Sequence, residues 1–491
     1  MFHDNLKQKG TRTSFLPFIV FSDHDVALEW FADKRAGWNL DYAKPSQIMS
    51  KEQNGDVRLN VRFANSPFVL ERPLDIEFGY EATPVKPLPG DWRTAYVHHH
   101  ALPLKSKSDL ALWWSWPDDE GKNARQGSFN LCARDPEAYA KAFEPKRQSG
   151  VKIVSFTNQH VLDSHNKEEN DLINRTMADE CGGVGWVAMP TRGVRDYWAW
   201  NVDRWIKRGG IEGLYMDEAN DATCSGHFLS GSGYIKPDGT RGVGHNTLGM
   251  REQIKRVRQL FIDNGKRPVV WIPVYAHIIP HAHAFVDVAS EGEAYMFEKP
   301  SGPDWMDEWG KCLLERKSGP GAVGGPWLLS IGRAQKFGFI PIFLNYIKFY
   351  DKPEFPQAVR AMHGLLGLLD IIPVCQDVNV SFIKAKAAFG IGEPDVEFRG
   401  FWEQKEVSAA RENVKASYYK RRKSALVIVT NLSKEPFEGG VRIDFPALGL
   451  DQAKTTIKDP EAAEPPLRPE DLGKLKIRGH DYRFIWLEEA P

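Results

Sequence analysis

From Thr13 to about Thr83 apolar and polar residues alternate in short runs, as in Asp56-Val57-Arg58-Leu59-Asn60-Val61-Arg62-Phe63 and Leu74-Asp75-Ile76-Glu77-Phe78-Gly79-Tyr80. A period of two belongs to strands with one buried face, so the pattern predicts an N-terminal β domain. The run Thr83-Pro84-Val85-Lys86-Pro87-Leu88-Pro89-Gly90-Asp91 holds three prolines and a glycine, which neither a helix nor a central strand accommodates, and it marks a boundary.

Beyond that boundary short apolar runs alternate with stretches of helical period, the signature of β/α units on a parallel sheet. The candidate strands are Ala95–His99, Val151–Thr157, Gly185–Met189, Gly213–Asp217, Val269–Val274, Ala284–Ala289, Phe339–Leu344 and Ile371–Val374. The helical patterns between them include Pro136–Gln148, Arg195–Lys207, Thr247–Asn264, Asp304–Glu315 and Glu354–Leu369. A (β/α)8 barrel of ~250 residues fits these better than an open sheet, because no glycine-rich phosphate turn follows the first strand. After about Asp377 the helical period stops, and Ser424–Asn431, Gly440–Phe445 and Tyr482–Leu487 read as strands of a C-terminal β domain. The expected fold class is multidomain α/β: a sandwich-like domain over 1–88, a catalytic TIM-like barrel over 89–380 and a β domain over 381–491.

Composition narrows the function. At 491 residues the chain exceeds what one core supports, in keeping with several domains. Its 64 Lys and Arg balance 65 Asp and Glu, so it lacks the basic footprint of a nucleic-acid binder. No uncharged apolar run nears the ~20 residues that span a bilayer, so no membrane partner is expected. The start, Met1-Phe2-His3-Asp4-Asn5-Leu6-Lys7, has no apolar core behind a basic stretch, which suits a cytoplasmic protein or a secreted one whose signal has been removed. Five scattered cysteines form no C-x-x-C pair and read as free thiols. The 16 tryptophans suit either sugar-stacking surfaces or cores.

The segment Gly209-Gly210-Ile211-Glu212-Gly213-Leu214-Tyr215-Met216-Asp217-Glu218 carries the chemistry. It follows an amphipathic helix, stops that helix at Gly-Gly, and ends a short strand on Asp217 and Glu218. Barrel enzymes place catalytic groups at the C-terminal strand ends, and of two adjacent carboxyls one tends to keep its proton, as a general acid must. The other reading of the pair is an N-cap and first-turn acid of the next helix.

This segment, continued through Gly233-Tyr234-Ile235-Lys236-Pro237-Asp238-Gly239 and Thr247-Leu248-Gly249-Met250-Arg251-Glu252-Gln253-Ile254-Lys255-Arg256, resembles the barrel of glycoside hydrolase family 123 and related β-N-acetylgalactosaminidases. Ala27-Leu28-Glu29-Trp30-Phe31-Ala32 with Gly37-Trp38, Asp91-Trp92-Arg93 and Glu291-Gly292-Glu293-Ala294-Tyr295 extend the likeness over residues 20 to about 380, with an N-terminal domain shorter than the family's. The resemblance implies a retaining exo-acting enzyme in which the 2-acetamido oxygen of the sugar is the nucleophile, Glu218 the acid and base, and Asp217 the group that orients the acetamido N–H. It implies a glycan or glycoconjugate with terminal β-linked N-acetylgalactosamine as partner and no cofactor; it leaves the oligomeric state open.

Other strand ends supply polar candidates for sugar hydroxyls or the acetamido group: Asn158, Tyr275, Glu293, Tyr295, Asn345 and Tyr346. Trp113, Trp114 and Trp116 form an aromatic cluster in the loop following the first strand, either a stacking platform or a buried lid. His98 and His100 share a face and suit sugar hydroxyls. With His277, and with His281 and His283 nearby, they also suit a metal-dependent barrel hydrolase, the alternative chemistry. A third reading is an N-acetyl-sugar-binding protein without turnover.

Overall fold

The computed structural model describes residues 17–23, 25–32, 37–41, 43–70, 73, 75–98, 110–115, 135–158, 161–162, 167–176, 179–181, 185–187, 189–217, 219, 224–225, 228–230, 232–236, 239–274, 278–292, 306–307, 333–344, 354–375, 380–461 and 467–490. Three N-terminal strands, β1 (Phe18–Ser22), β2 (Ala27–Phe31) and β5 (Gly79–Ala82), form an antiparallel sheet, and β3 (Gln47–Lys51) pairs with β4 (Val57–Val61) as a hairpin facing it. Ile19, Trp30, Ala32 and Trp38 are the buried centre between them.

Eight parallel strands then close a barrel: β6 (Tyr96–His98), β7 (Ala111–Ser115), β8 (Lys152–Asn158), β9 (Gly213–Asp217), β10 (Val270–Pro273), β11 (Val288–Glu291), β12 (Ile340–Phe343) and β13 (Ile372–Cys375). The last strand pairs back to the first through Val374 with Val97 and Cys375 with His98. The expected TIM-like barrel is therefore present, with two of its strands reassigned. Ala111–Ser115, expected as an aromatic loop, is the second strand and lies between β6 and β8. Gly185–Val187, expected as a barrel strand, instead pairs antiparallel with Val161–Leu162 and Asp179–Cys181 in a small separate sheet. Ala-Leu-Trp-Trp is an apolar run like those of the other barrel strands, but its adjacent tryptophans also suit a stacking surface, and that reading displaces the strand.

Alternation within each strand sorts two cores. Val97, Leu112, Val154, Phe156, Tyr215, Trp271, Val288, Ile342 and Val374 fill the barrel, whereas Ile153, Leu214, Met216, Val270 and Ile272 face the helices. Helix α1 (Pro136–Gln148) starts where Asp135 accepts from the Glu137 and Ala138 N–H groups, with Pro136 at its first turn, and buries Tyr139 and Phe143 one turn apart. Helix α2 (Arg192–Arg204) runs on into a wider turn, Trp205–Gly209, and stops at Gly210, whose φ of +66° is the left-handed cap expected of the Gly-Gly stop. Helix α3 (Thr247–Asp263) is capped by the Asn246 side chain and buries Met250, Ile254, Val257 and Phe261.

The helix α5 (Phe355–Leu369) before the last barrel strand is apolar nearly all round because it serves two bodies at once. One side meets the barrel, the other the face of a five-stranded antiparallel C-terminal sheet whose central strands are Val414–Arg421, Ser424–Asn431 and Asp481–Glu489. A further helix, Val380–Phe389, lies where only strands are expected after Asp377, and its Phe382 and Phe389 join the same core. The opposite sheet face buries Val427, Val429 and Ile485 against short strand pairs. Among the described residues no helix is long and apolar enough to cross a membrane.

The N-terminal sheet docks on the barrel through a fully buried carboxyl. Between β10 and β11 the chain makes a short turn, α4 (Pro280–His283). Glu29 on β2 accepts from the His281 N–H there at 2.7 Å and lies 3.0 Å from His281 Nδ1, and the Phe31 ring stacks on that imidazole at 3.8 Å. Burial pushes the Glu29 carboxyl from 4.5 to about 8, outweighing the N–H donor that lowers it. The folded state thus binds this proton more tightly than the unfolded chain; its contribution is full below about 4.5 and lost as pH rises through about 8. The buried amines of Lys86 and Lys336, held down to about 8 and about 7 by burial, act in the opposite sense, so the informative quantity is a difference between two proteins. Relative to wild type, Glu29→Gln is expected to gain thermal stability as pH rises from 6 to 9. A Tm difference that stays flat over that range, measured by calorimetry, would show that the carboxyl does not titrate there.

Candidate functional site

The local sequence fixes Asp217 in two ways. Gly213 opens β9 where a Cβ would meet Val269 at 2.8 Å, so only glycine lets the strand start this close to β10. The strand then pairs with β8 through Leu214–Ser155, Tyr215–Phe156, Met216–Thr157 and Asp217–Asn158. Since Phe156 and Tyr215 face the barrel interior, Asn158 and Asp217, two residues further along each strand, share that face at the C-terminal rim. Asn158 is buried and Asp217 half-buried.

Beneath them lies an aromatic layer that sequence reading does not identify. The Phe156 and Tyr215 rings stack at 5.4 Å and 20°, and Tyr215 meets Trp271 edge-on at 5.1 Å and 78°. Such pairs contribute about 0.5–1.5 kcal/mol each beyond the area they bury and give the rim a rigid, dry floor. In sequence these three are ordinary core aromatics; only the register of β8, β9 and β10 brings them to one level.

Next to this floor, Gly292 follows β11 at φ +131°, where a Cβ would strike the Leu344 carbonyl oxygen at 2.2 Å. The Leu344 N–H donates to Glu291 O at 2.7 Å, so the sixth and seventh strand ends are laced together just before Glu293 and Asn345.

Of the residues singled out from sequence, the structure brings Asp217 and Asn158 together. His98 ends β6, paired in register with Trp113 and Cys375. Trp113 requires correction. It lies within β7 rather than in a loop, packs with the outer layer that faces the helices, and carries Lys146 Nζ of α1 3.9 Å above its ring. That is the face away from the barrel interior, because Leu112 beside it points inward. Glu218, His100, Tyr275, His277, Glu293, Tyr295, Asn345 and Tyr346, and Trp116 with them, lie outside the described residues.

The two described histidines of α4 diverge. His281 Nε2 is 2.9 Å from Thr247 Oγ1, at the start of α3. His283 instead accepts from the Ile279 N–H on Nδ1 at 3.2 Å and has Nε2 2.7 Å from the Ala219 carbonyl. Among the described residues no three His, Cys, Asp or Glu side chains gather as a metal site.

The fold can be set beside solved structures. An α-amylase of Anoxybacillus is 10% identical, covering 78% of this chain and 88% of its own at a TM-score of 0.47. A maltogenic α-amylase of Thermotoga neapolitana is 11% identical over 78% and 91% at 0.46, and a family-27 β-L-arabinopyranosidase of Geobacillus stearothermophilus is 11% identical over 72% and 78% at 0.41. No curated protein matches the sequence. Residues 379–465 match the family model of the glycoside hydrolase 123 C-terminal domain, so the segment that holds the Val380–Phe389 helix and the strands Val414–Arg421 and Ser424–Asn431 is similar to a domain of that glycoside hydrolase family.

Proposed function

We propose that the chain is a glycoside hydrolase, and within that class a retaining exo-β-N-acetylgalactosaminidase that uses the substrate's acetamido group as nucleophile. The observation that carries this reading is Asp217, inward-facing at the C-terminal rim of the fourth barrel strand above an aromatic floor, in a chain whose residues 379–465 match a glycoside hydrolase 123 domain. A carboxylate at this rim is placed to act on a ligand entering the barrel mouth.

In the first step the acetamido oxygen attacks the anomeric carbon as the bond to the leaving oxygen breaks, and Glu218 transfers its proton to that oxygen. The product is a cyclic oxazolinium ion. Asp217 accepts a hydrogen bond from the acetamido N–H, aligns its oxygen below the ring, and offsets the positive charge that develops on nitrogen. Glu218, now ionised, takes a proton from water as that water attacks the anomeric carbon and the acetamido group reforms. Two displacements at one carbon retain configuration. The nucleophile comes from the sugar, and all proton transfers are covered by carboxyl groups.

The test is hydrolysis of an aryl β-N-acetylgalactosaminide, with the first-formed anomer followed by NMR and the assay repeated after chelation. The expected result is a β-configured product and unchanged rate with chelator. An α-product would remove the mechanism, and activity lost to chelator and restored by zinc would favour the histidine-based metal hydrolase.

A further inference from the structure

The turn between β10 and β11 ties the exit of β9 to the rest of the molecule through one imidazole. His283 is fully buried, as is Ala219, and each ring nitrogen of His283 has a defined role. Nδ1 accepts from the Ile279 N–H at 3.2 Å, so it carries no proton. Nε2 therefore holds the proton and donates to the Ala219 carbonyl at 2.7 Å, since a carbonyl can only accept. This tautomer is set by the protein's own backbone. The turn that presents the ring is itself anchored. Arg251 Nη1 of α3 donates to the His281 carbonyl at 2.6 Å, His281 Nε2 lies 2.9 Å from Thr247 Oγ1, and the His281 N–H donates to Glu29.

Ala219 lies two residues beyond Asp217. The chain is thus held on one side by the pairing of Asp217 with Asn158 and on the other by the His283 bond. We infer that His283 is a positioning residue for Asp217: its Nε2–H fixes the Ala219 carbonyl two residues on and thereby holds the end of β9 in place. This rests on the reading of Asp217 as a catalytic carboxylate. A buried neutral imidazole spanning two backbone groups, where an apolar side chain would fill the space, is explained by a need to hold this segment in register; a displacement of about 1 Å at a reacting group can cost about 100-fold in rate.

The experiment compares wild type with His283→Phe, His283→Asn and His283→Gln on the aryl β-N-acetylgalactosaminide, with Tm measured for each. Phe keeps the bulk without the donor, Asn places its amide nearer the Nδ1 position, and Gln can return a donor to the Nε2 position. The expected pattern is a fall in kcat of about 10–100-fold for Phe and Asn, KM within about threefold of wild type, and recovery of most of kcat in Gln. A role in stability alone predicts a different pattern, in which Tm falls while kcat of the folded protein stays at the wild-type value; that result overturns the inference and leaves the proposed function standing. Loss of kcat in Gln equal to that in Phe also overturns it, because the donor would then be irrelevant. A wild-type protein with no activity on this substrate removes the proposed function, and with it this inference.

Discussion

Glu218→Gln is expected to lower kcat/KM by about 10²–10⁴-fold on substrates whose leaving oxygen needs a proton, such as a disaccharide, and by far less on an aryl glycoside with an acidic phenol. The reason lies in what the acid contributes. An alkoxide cannot leave unprotonated, whereas a nitrophenolate can, so the glycosylation step of the activated substrate barely needs Glu218. The second step still does, because water must lose a proton as it opens the oxazolinium ion. Steady-state rates on the two substrates, with a pre-steady-state burst measured for the aryl one, separate these effects. Equal loss on both, without a burst, would mean that the residue is not the acid of the first step.

The sequence carries the fold unevenly, and the differences have physical causes. Strands whose ends are marked by punctuation are read to the residue: Gly209-Gly210 before and Asp217 after give Gly213–Asp217, and the polar borders of Ser424–Asn431 do the same. Ala111–Ser115 is missed although it is an apolar run like the other barrel strands, because its adjacent tryptophans suggest a stacking platform. Gly185–Val187 is assigned to the barrel because a three-residue strand looks the same in either kind of sheet; only its antiparallel partners tell them apart. The error for Trp113 follows from that for β7, since a residue's face cannot be known until its strand is.

The site is legible to a different degree. The carboxyl at the end of β9 comes from chain order alone, but its neighbours depend on register. Asn158 becomes adjacent to Asp217 only through the pairing of β8 with β9, and the Phe156, Tyr215 and Trp271 layer only through three strands at once. The histidines show the limit most clearly. His281 and His283 sit two residues apart in the histidine distribution that suits a metal-dependent hydrolase, yet one faces Thr247 and Glu29 and the other faces Ala219. A two-residue spacing brings side chains to one face in a strand, while in a helical turn such as Pro280–His283 it separates them by about 200°.

The largest discrimination is expected between sugars that differ only at carbon 2. With the acetamido group the nucleophile is already attached, and well-oriented internal nucleophiles reach effective concentrations of about 10⁵–10⁸ M. A β-galactoside with a 2-hydroxyl has no such oxygen, and under the proposed mechanism Asp217, half-buried at the rim, would meet a hydroxyl in a different position from the acetamido N–H. Sites built around a particular hydrogen-bonding group reject analogues lacking it by about 10⁴–10⁵-fold, so kcat/KM on aryl β-galactoside is expected to fall at least about 10³-fold below that on aryl β-N-acetylgalactosaminide. Asp217→Asn should narrow this gap from above. It keeps the shape but removes the charge that, in the proposed mechanism, offsets the oxazolinium ion, so the 2-acetamido substrate is expected to lose about 10²–10³-fold while the galactoside, which would form no such ion, loses little. A thiazoline analogue of the ion should inhibit wild type competitively and bind Asp217→Asn more weakly, because a group that stabilises the intermediate must also stabilise its mimic. Parallel rates on the two sugars in wild type, or equal losses on both in Asp217→Asn, would show that the acetamido group is a bystander and that some other nucleophile attacks the anomeric carbon.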